Sequence, residues 1–280
     1  MSRLMILLML TGLAACGVPT QTQASGTARP MRIVSLDYCS DQYVLKLADR
    51  EQILAISPDG DKEFSYMHEA AEGVPTVRPI AEDVIVLKPD LVVRAYGGGP
   101  NAEAFFERVG IPVLTVGWTS NVDDGEVGSI PALIQHMADG LGQSERGRQL
   151  IAEFRARLAA ISKRTDRKSA LYVTPGGVTS GPGSMVHEMM KAAGLDNFEE
   201  QPGWRDIPLE KLAYEQPDVI AAAVFHRFEN QPGSWSPMNH PMARQQLERQ
   251  NVVQLEGAWT ACSGWFIMDA IEALAKGGEE

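Results

Sequence analysis

Aromatic side chains follow several short apolar segments of this chain, at positions where a small molecule could be bound. Aromatic faces together with a few polar groups suit a flat or bulky apolar ligand that carries polar substituents. The residues that share this placement are Tyr38, Tyr96, Trp118, His226, Trp235 and Trp259. Packing at a domain edge is the alternative role for any one of them. Because several segments share the property, we interpret the set as a candidate ligand site.

Two glutamates begin the same sequence phrase in the two halves of the chain. Glu82 precedes a Pro-Asp dipeptide at 89–90 by seven residues, and Glu210 precedes one at 217–218 by the same interval. Seven residues make about two helical turns, which the proline ends because it has no amide donor. An apolar run follows each copy, as in a buried parallel strand. The repeat predicts two similar lobes, and a charge that favours a helix start is one sufficient role for each glutamate.

Motifs of enzymes and of bare-metal sites fit the chain poorly. The glycine-rich stretch after residue 174 lacks the Lys-Ser/Thr ending of a phosphate loop, and Ser184 does not stand in the Gly-x-Ser-x-Gly pattern of a nucleophile elbow. The five histidines form no i, i+4 pair and no tight cluster, which a transition-metal site would need. We therefore do not expect an enzyme. A thiol pair of Cys262 with His226 or His240 is an open alternative.

Strand and helix patterns alternate along both halves, which predicts an α/β fold with mostly parallel sheets. The predicted strands are 33–36, 53–56, 91–93 and 111–116 in the first half, and 170–173, 219–223 and 252–255 in the second. Ligands of open parallel sheets gather outside the carboxyl ends of the strands. The aromatic residues named above follow those ends. The first helix is predicted at 41–48 with Ser40 as its cap, and the last at 263–275.

A long helix is predicted between the two halves, at 144–163. Its apolar residues recur at intervals of three and four, as in one helical stripe: Leu150, Ile151, Phe154, Leu158 and Ile161. At about 1.5 Å per residue, such a helix reaches roughly 30 Å. It is long enough to cross from one lobe to the other.

Residues 1–15 have the pattern of a secretory signal peptide. Arg3 is followed by an apolar stretch that is too short to span a bilayer, and then by small residues before Cys16. This end resembles a bacterial lipobox and predicts cleavage before Cys16 with lipid attached to that residue. An ordinary signal peptide with a chance cysteine is the alternative. Residues 16–30, rich in Gly, Ser, Thr, Gln and Pro, then form a flexible tether.

Composition narrows the class of protein. With 44% hydrophobic and 22% charged residues, the chain is globular and long enough for two medium domains. Its net charge of −11 argues against nucleic acid or an anionic membrane surface as the main partner. Cys39 and Cys262 lie in opposite halves. A disulfide between them would tie the lobes together, and two free thiols are equally compatible with the sequence.

Several motifs occur in a characteristic order along the chain. They are RIVSL at 32–36, the first glutamate phrase at 82–93, GIPV at 110–113, Trp204 ahead of the second phrase, and PDVI at 217–220. This order resembles the periplasmic binding protein family that serves iron-siderophore and cobalamin ABC importers. The resemblance covers roughly residues 31–275. It implies two α/β lobes, at 31–143 and 166–280, joined by one rigid helix at 144–165, with the ligand in the cleft between them.

The resemblance also implies roles for individual residues. Family members carry one exposed glutamate on each lobe that docks onto arginines of the membrane permease, and Glu82 and Glu210 match these positions. Arg227 could pair with a carboxylate or with an oxygen of a ferric complex, with a rim salt bridge as its alternative. The residues expected by position to line the cleft are Asp37, Tyr38, Tyr96, Trp118, Thr174, Gly176, His226, Arg227 and Trp259.

The predicted function is that of the substrate-binding component of an ABC importer. The expected ligand is an iron(III)-siderophore or corrinoid-type chelate, which a monomeric periplasmic lipoprotein without a permanent cofactor delivers to a permease dimer. The alternatives are a bare-metal or haem binding lipoprotein and an exported enzyme that uses Cys262 or a cleft carboxylate. The sequence does not choose among siderophore, cobalamin and haem.

Overall fold

The structure is a computed structural model that describes residues 29–117, 125–161, 166–224, 236–248 and 251–279. Two four-stranded parallel sheets, one in each half of the chain, are flanked by helices. This arrangement confirms the predicted α/β fold with two similar lobes. No helix in the described ranges is long and apolar enough to cross a membrane.

The first sheet forms from the apolar runs of the first half. Its strands are β1 (Ile33–Ser35), β2 (Ile53–Ala55), β3 (Leu91–Arg94) and β4 (Val113–Thr115). Their order is β2-β1-β3-β4, and all neighbours are parallel. Strands β1 and β3 are buried along their whole length, which explains their nearly unbroken apolar sequence.

The second half contains a parallel sheet and a separate antiparallel pair. Its strands are β5 (Ser169–Val173), β6 (Val178–Ser180), β7 (Asp196–Asn197), β8 (Trp204–Asp206), β9 (Val219–Val224) and β10 (Val252–Glu256). The parallel sheet has the order β10-β9-β5-β7, while β6 pairs with β8. The glycine-rich stretch after β5 contains β6.

Helices cover both sheets. They are α1 (Tyr38–Leu47), α2 (Ala81–Val86), α3 (Ala102–Arg108), α4 (Gly125–Gly140), α5 (Ser144–Ala160), α6 (Met185–Ala192), α7 (Leu209–Leu212), α8 (Pro241–Leu247), α9 (Gly257–Thr260) and α10 (Ile267–Glu279). Helix α4 contains Pro131, a residue that normally interrupts a helix. The last helix begins at Ile267, four residues later than predicted.

The first helix begins at Tyr38, because Asp37 is its cap. The Asp37 carboxylate accepts the Ser40 amide N–H at 3.0 Å, and the Asp37 N–H donates to the Ser40 hydroxyl at 3.3 Å. This reciprocal pair is a capping box. The prediction of Ser40 as the cap is therefore wrong, because Ser40 is the third residue of the helix.

The aspartate of each repeated phrase fixes the start of a neighbouring strand. Asp90 accepts the backbone N–H groups of Met31 and Arg32, each at 2.9 Å, just before β1. Asp218 accepts the backbone N–H of Ser169 at 2.7 Å and its hydroxyl at 2.9 Å, at the start of β5. The phrase thus has the same structural task in both lobes: it ends a helix and secures the first strand.

The predicted bridging helix is present as α5. Near its start, Arg146 donates to the Leu47 carbonyl of the first lobe at 2.7 Å. Near its end, Arg157 donates to Asp269 at 2.6 Å and to Glu272 at 2.7 Å on α10. Helix α4 packs along α5 and also contacts α1 and α6, so α4 joins helices from both halves as well.

One continuous apolar core runs beneath both sheets. Its central aromatic residues come from opposite halves of the chain. Trp265 packs edge-on against Tyr43, with ring centroids 5.3 Å apart, and Phe266 stacks on Tyr66 at 4.8 Å. The Tyr43 hydroxyl also donates to the Ser263 carbonyl at 3.0 Å. The segment before α10 therefore anchors the second half against the first.

A buried carboxylate lies in α1 and makes stability depend on pH. Asp41 accepts the Ser57 hydroxyl at 2.5 Å and the Ser57 N–H at 3.2 Å. Burial is the main cause that raises the pKa of Asp41 from 3.8 to about 6. Because the folded pKa is raised, its stabilising contribution is complete below about pH 4 and is lost as the pH rises through about 6.

We expect Asp41→Asn to remove this pH dependence. At about 1.4 kcal/mol per unit of pKa, the wild type should lose up to about 3 kcal/mol between pH 4 and pH 7 relative to the variant. Urea denaturation of both proteins at the two pH values measures the difference. The same change in unfolding free energy for both proteins would contradict the assignment.

Candidate functional site

A disulfide between Cys39 and Cys262 brings the carboxyl ends of the two sheets together. Cys39 lies in the first turn of α1, directly after β1, and Cys262 follows α9, directly after β10. Their Cα atoms are 5.5 Å apart. The residues that leave both sheets therefore meet in one region. The sequence left open whether Cys39 and Cys262 are free or bridged, and the structure shows that they are bridged.

Aromatic side chains of the first lobe form one wall of this region. The Tyr38 ring packs edge-on against Phe64 and Tyr96, with centroids 5.1 and 6.2 Å apart. Tyr96 is 55% exposed. Burial, followed by the charge of Asp37, raises the pKa of Tyr38, and burial also raises the pKa of Tyr96. Both phenols are therefore protonated at neutral pH and can donate a hydrogen bond.

The loop that carries Tyr96 is held by two buried charged residues. One oxygen of Asp37 accepts the N–H groups of Ala95, Tyr96 and Gly97 at 2.7, 3.0 and 2.8 Å. Arg94 donates to the Gly97 carbonyl at 2.8 Å and to that of Gly99 at 3.0 Å. A Cβ at Gly97 would lie 2.4 Å from the Leu36 carbonyl oxygen, so this approach requires glycine. These contacts within the protein hold the loop in one conformation.

The second lobe contributes a cavity of about 300 Å³ beside the disulfide. Hydroxyls, thioethers and an indole ring line it, and no charged side chain does so among the described residues. The lining residues are Gly183, Ser184, Met185, Val186, Met189, Gly203, Trp204, Thr260, Ala261, Cys262, Ser263 and Ile267. This chemistry suits an uncharged part of a ligand that has polar substituents.

Trp204 is the most exposed side chain of the cavity wall, at 61%. It lies at the first position of β8, where it pairs with Ser180 of β6, and its ring packs edge-on against Tyr172 at 6.2 Å. In the sequence, Trp204 was predicted only to be one of the motifs that carry the family resemblance. A large aromatic residue within the polar stretch 200–206 was the signal that could have identified it as a binding residue.

The chain was compared with known protein families. Residues 33–249, well over half of the chain, match the model described as periplasmic binding protein. The chain belongs to the periplasmic binding protein family. Members of this family are solute-binding proteins and not enzymes.

This periplasmic binding protein is similar to two curated relatives and to one solved structure. It is 26% identical over 231 residues to a cobalamin-binding protein of Halobacterium salinarum, which covers 75% of this chain but only 60% of that protein. It is 25% identical to the vitamin B12-binding protein of Vibrio campbellii, with 84% of each covered. A periplasmic heme binding protein from Pseudomonas aeruginosa has the same fold, with a TM-score of 0.69, 20% identity, and coverage of 89% of this chain and 92% of that one.

The residues predicted to line the cleft of this binding protein differ in their surroundings. Asp37 is buried and fully engaged as a cap and loop anchor. Thr174 closes its own turn, because its hydroxyl accepts the Val178 N–H at 3.1 Å, and Gly176 in that turn is exposed. Trp259 packs half-buried against the core and does not line the cavity, unlike its neighbour Thr260.

Other predicted residues lie outside the part of the chain that the structure describes. They are Cys16, Trp118, His226, Arg227 and Trp235. Among the described residues, no three His, Cys, Asp or Glu side chains are grouped so that they could hold a metal ion. The alternative of an enzyme that uses the Cys262 thiol is wrong, because that sulfur is bonded to Cys39.

Both glutamates of the repeated phrase are exposed at the start of a short helix. Asp83, next to Glu82, pairs with Arg78 at 2.7 Å, and Lys211, next to Glu210, pairs with Glu200 at 3.2 Å. Among the described residues, neither Glu82 nor Glu210 has a side-chain partner. Their charges are therefore available to another molecule.

Proposed function

We propose that the protein is the substrate-binding component of an ABC importer and captures a corrinoid-type or iron(III)-siderophore chelate between its lobes. The observation that carries this proposal is the meeting of two different walls at the disulfide. One wall presents the Tyr38 phenol from the start of α1 and the Tyr96 phenol from a fixed loop. The other is an uncharged cavity with Trp204 at its rim. Such a pair of walls suits a large ligand with polar groups around its edge.

A corrinoid is the better-supported ligand of the two. Thr260 and Ser263 line the cavity and their hydroxyls can bind amide groups, whereas an anionic ferric siderophore would favour cationic residues. The two curated relatives are named for cobalamin and vitamin B12. A cavity of about 300 Å³ is at the low end for small-molecule sites. It would hold one part of the chelate, and the rest would lie against the tyrosines.

We assign Asp37 a positioning role in this site. Its carboxylate accepts four backbone N–H groups, from Ser40, Ala95, Tyr96 and Gly97. Both of its oxygens therefore hold the protein backbone and do not contact the ligand. With Arg94, it presents Tyr96 in a preformed geometry. A preformed site reduces the ordering cost of binding.

Titration of the purified protein with cyanocobalamin tests the proposed function. We expect saturable quenching of tryptophan fluorescence and binding heat in calorimetry. Trp204→Ala should weaken binding about 30-fold by calorimetry, because loss of an aromatic anchor costs about 2 kcal/mol. Trp204→Phe should recover most of the affinity. Leu247→Ala is the control, since Leu247 is exposed on α8 and lies outside the cavity wall.

The same titration with ferrichrome and with haemin separates the ligand classes. Tighter binding of either one would replace the corrinoid as the preferred cargo. No quenching, no heat and no rise in melting temperature with all three chelates would contradict the proposed function. Unchanged cyanocobalamin binding in Trp204→Ala would contradict the cavity as its site.

Delivery and anchoring complete the proposal. Glu82 and Glu210 dock the loaded protein onto arginines of a permease dimer, one lobe on each subunit. The signal peptide is removed before Cys16, which carries the lipid that holds the protein at the membrane. The disulfide supports an oxidising compartment such as the periplasm.

A further inference from the structure

The two most exposed large apolar side chains of the described residues lie beside the two glutamates. Val86 is 76% exposed and Tyr214 is 90% exposed. Val86 follows Glu82 by four residues, and Tyr214 follows Glu210 by the same four. The repeated phrase therefore places an acidic and an apolar residue at equivalent positions in both lobes.

The shared interval places each pair on one side of its helical turn. Residues four apart are neighbours on a helix surface. Val86 is the last residue of α2, and the Tyr214 N–H donates to the Lys211 carbonyl at 3.0 Å, which continues the turn of α7. The opposite side of each turn is buried, at Val84 and Leu212. Val86 and Tyr214 thus point away from the core in which Val84 and Leu212 are buried.

Each lobe therefore presents an unpaired carboxylate next to an exposed apolar surface. We call these the Glu82–Val86 patch and the Glu210–Tyr214 patch. Two neighbouring cations do not neutralise the glutamates, because Arg78 pairs with Asp83 and Lys211 pairs with Glu200 and Glu215. Packing within the protein does not explain why a valine and a tyrosine are exposed at matching positions. A partner that covers both patches would explain their exposure.

We infer that Val86 and Tyr214 are the apolar anchors by which the two lobes bind the membrane permease. The inference rests on the proposed function and adds a second component to docking. The matching permease surface would present a basic group beside an apolar contact, twice, as the two equal subunits of a dimer do. The acidic charge of each patch complements the basic group.

The two components of each patch have different physical effects. Charge pairs mainly set orientation and the rate of association, and they weaken as salt rises. Buried aromatic and aliphatic anchors mainly slow dissociation. When the anchors are lost, a higher concentration of binding protein should therefore restore uptake. When the charges are lost, it should not, because the docked protein is no longer correctly oriented.

Uptake by cells that express graded amounts of the protein tests this division. The native host, with its chromosomal copy deleted, receives each variant from an inducible promoter and takes up the labelled chelate selected by the titration, cyanocobalamin first. Val86→Ser with Tyr214→Ser should raise the amount of protein needed for half-maximal uptake at least tenfold, with the maximal rate retained. Ligand affinity and melting temperature should stay at the wild-type values.

Val109→Ser with Leu247→Ser is the matched control, because both residues are exposed apolar side chains outside the two patches. An equal shift in the control and the test variant, or no shift in the test variant, would overturn the inference and leave the proposed function intact. Failure of the wild type to bind or take up any of the chelates would overturn the proposed function, and the inference with it.

Discussion

Replacing Cys39 and Cys262 together with serine is expected to lower the free energy of unfolding by about 5 kcal/mol. The two cysteines are separated by 223 residues, and a crosslink that closes so long a loop removes much conformational freedom from the unfolded chain. Serine keeps the side-chain size, so the change isolates the covalent bond. Few single features of a protein of this size contribute so much to its stability.

The loss should extend from stability to ligand binding. The disulfide lies between the tyrosine wall and the cavity wall, and Cys262 itself lines the cavity. Without the bond, helix α5 and noncovalent contacts such as those of Trp265 and Phe266 would hold the two walls together less tightly. We expect weaker cyanocobalamin binding in the double variant.

Urea denaturation and calorimetry measure the two effects. Wild-type protein treated with dithiothreitol during denaturation is the control, since it should reproduce the stability of the double serine variant. A decrease of less than 1 kcal/mol in the unfolding free energy, or a reductant that affects the double variant as much as the wild type, would contradict the expected role of the bond.

The second large effect is expected for transport. Glu82→Ala with Glu210→Ala should abolish uptake of the labelled chelate at every level of expression, because both orienting charges are lost. The affinity for cyanocobalamin should not change, since neither glutamate lines the cavity. Measured uptake and calorimetric affinity together separate delivery from capture.

A matched control is available on the same lobes. Glu107 and Glu248 are exposed glutamates, one in each half of the chain, so Glu107→Ala with Glu248→Ala removes the same charge elsewhere. This control should transport at the wild-type rate. Normal uptake in the Glu82 and Glu210 variant would show that the glutamates serve only their helix starts, which was the alternative interpretation.

The parts of the fold that the sequence predicted are those with local causes. A proline seven residues after each glutamate and an apolar run behind it define a helix end and a strand without reference to the rest of the chain. In the same way, the stripe of apolar residues that includes Leu150 and Phe154 predicted helix α5 from local sequence alone. Strand and helix positions are therefore close to those expected, and the sheet edge with the ligand site follows from their order.

The missed features depend on distant partners. The pairing of Ser180 with Trp204 joins two strands that have no strong pattern alone. The anchoring of the Tyr96 loop by Asp37 joins residues 58 to 60 positions apart. An aspartate before a helix suggests a cap, but its second role appears only when the chain has folded. This is why Asp37 was expected at the ligand and was found beneath the loop.

The long separation of Cys39 and Cys262 also has a consequence for biogenesis. In a chain exported from its amino end, Cys39 reaches the oxidising side early, and its partner follows only after the cleft-forming parts of both lobes have crossed. Under the proposed attachment of lipid to Cys16, no third thiol of the 280 residues competes for the pairing. The disulfide would therefore form only after nearly the whole chain has been exported and the two lobes have docked correctly.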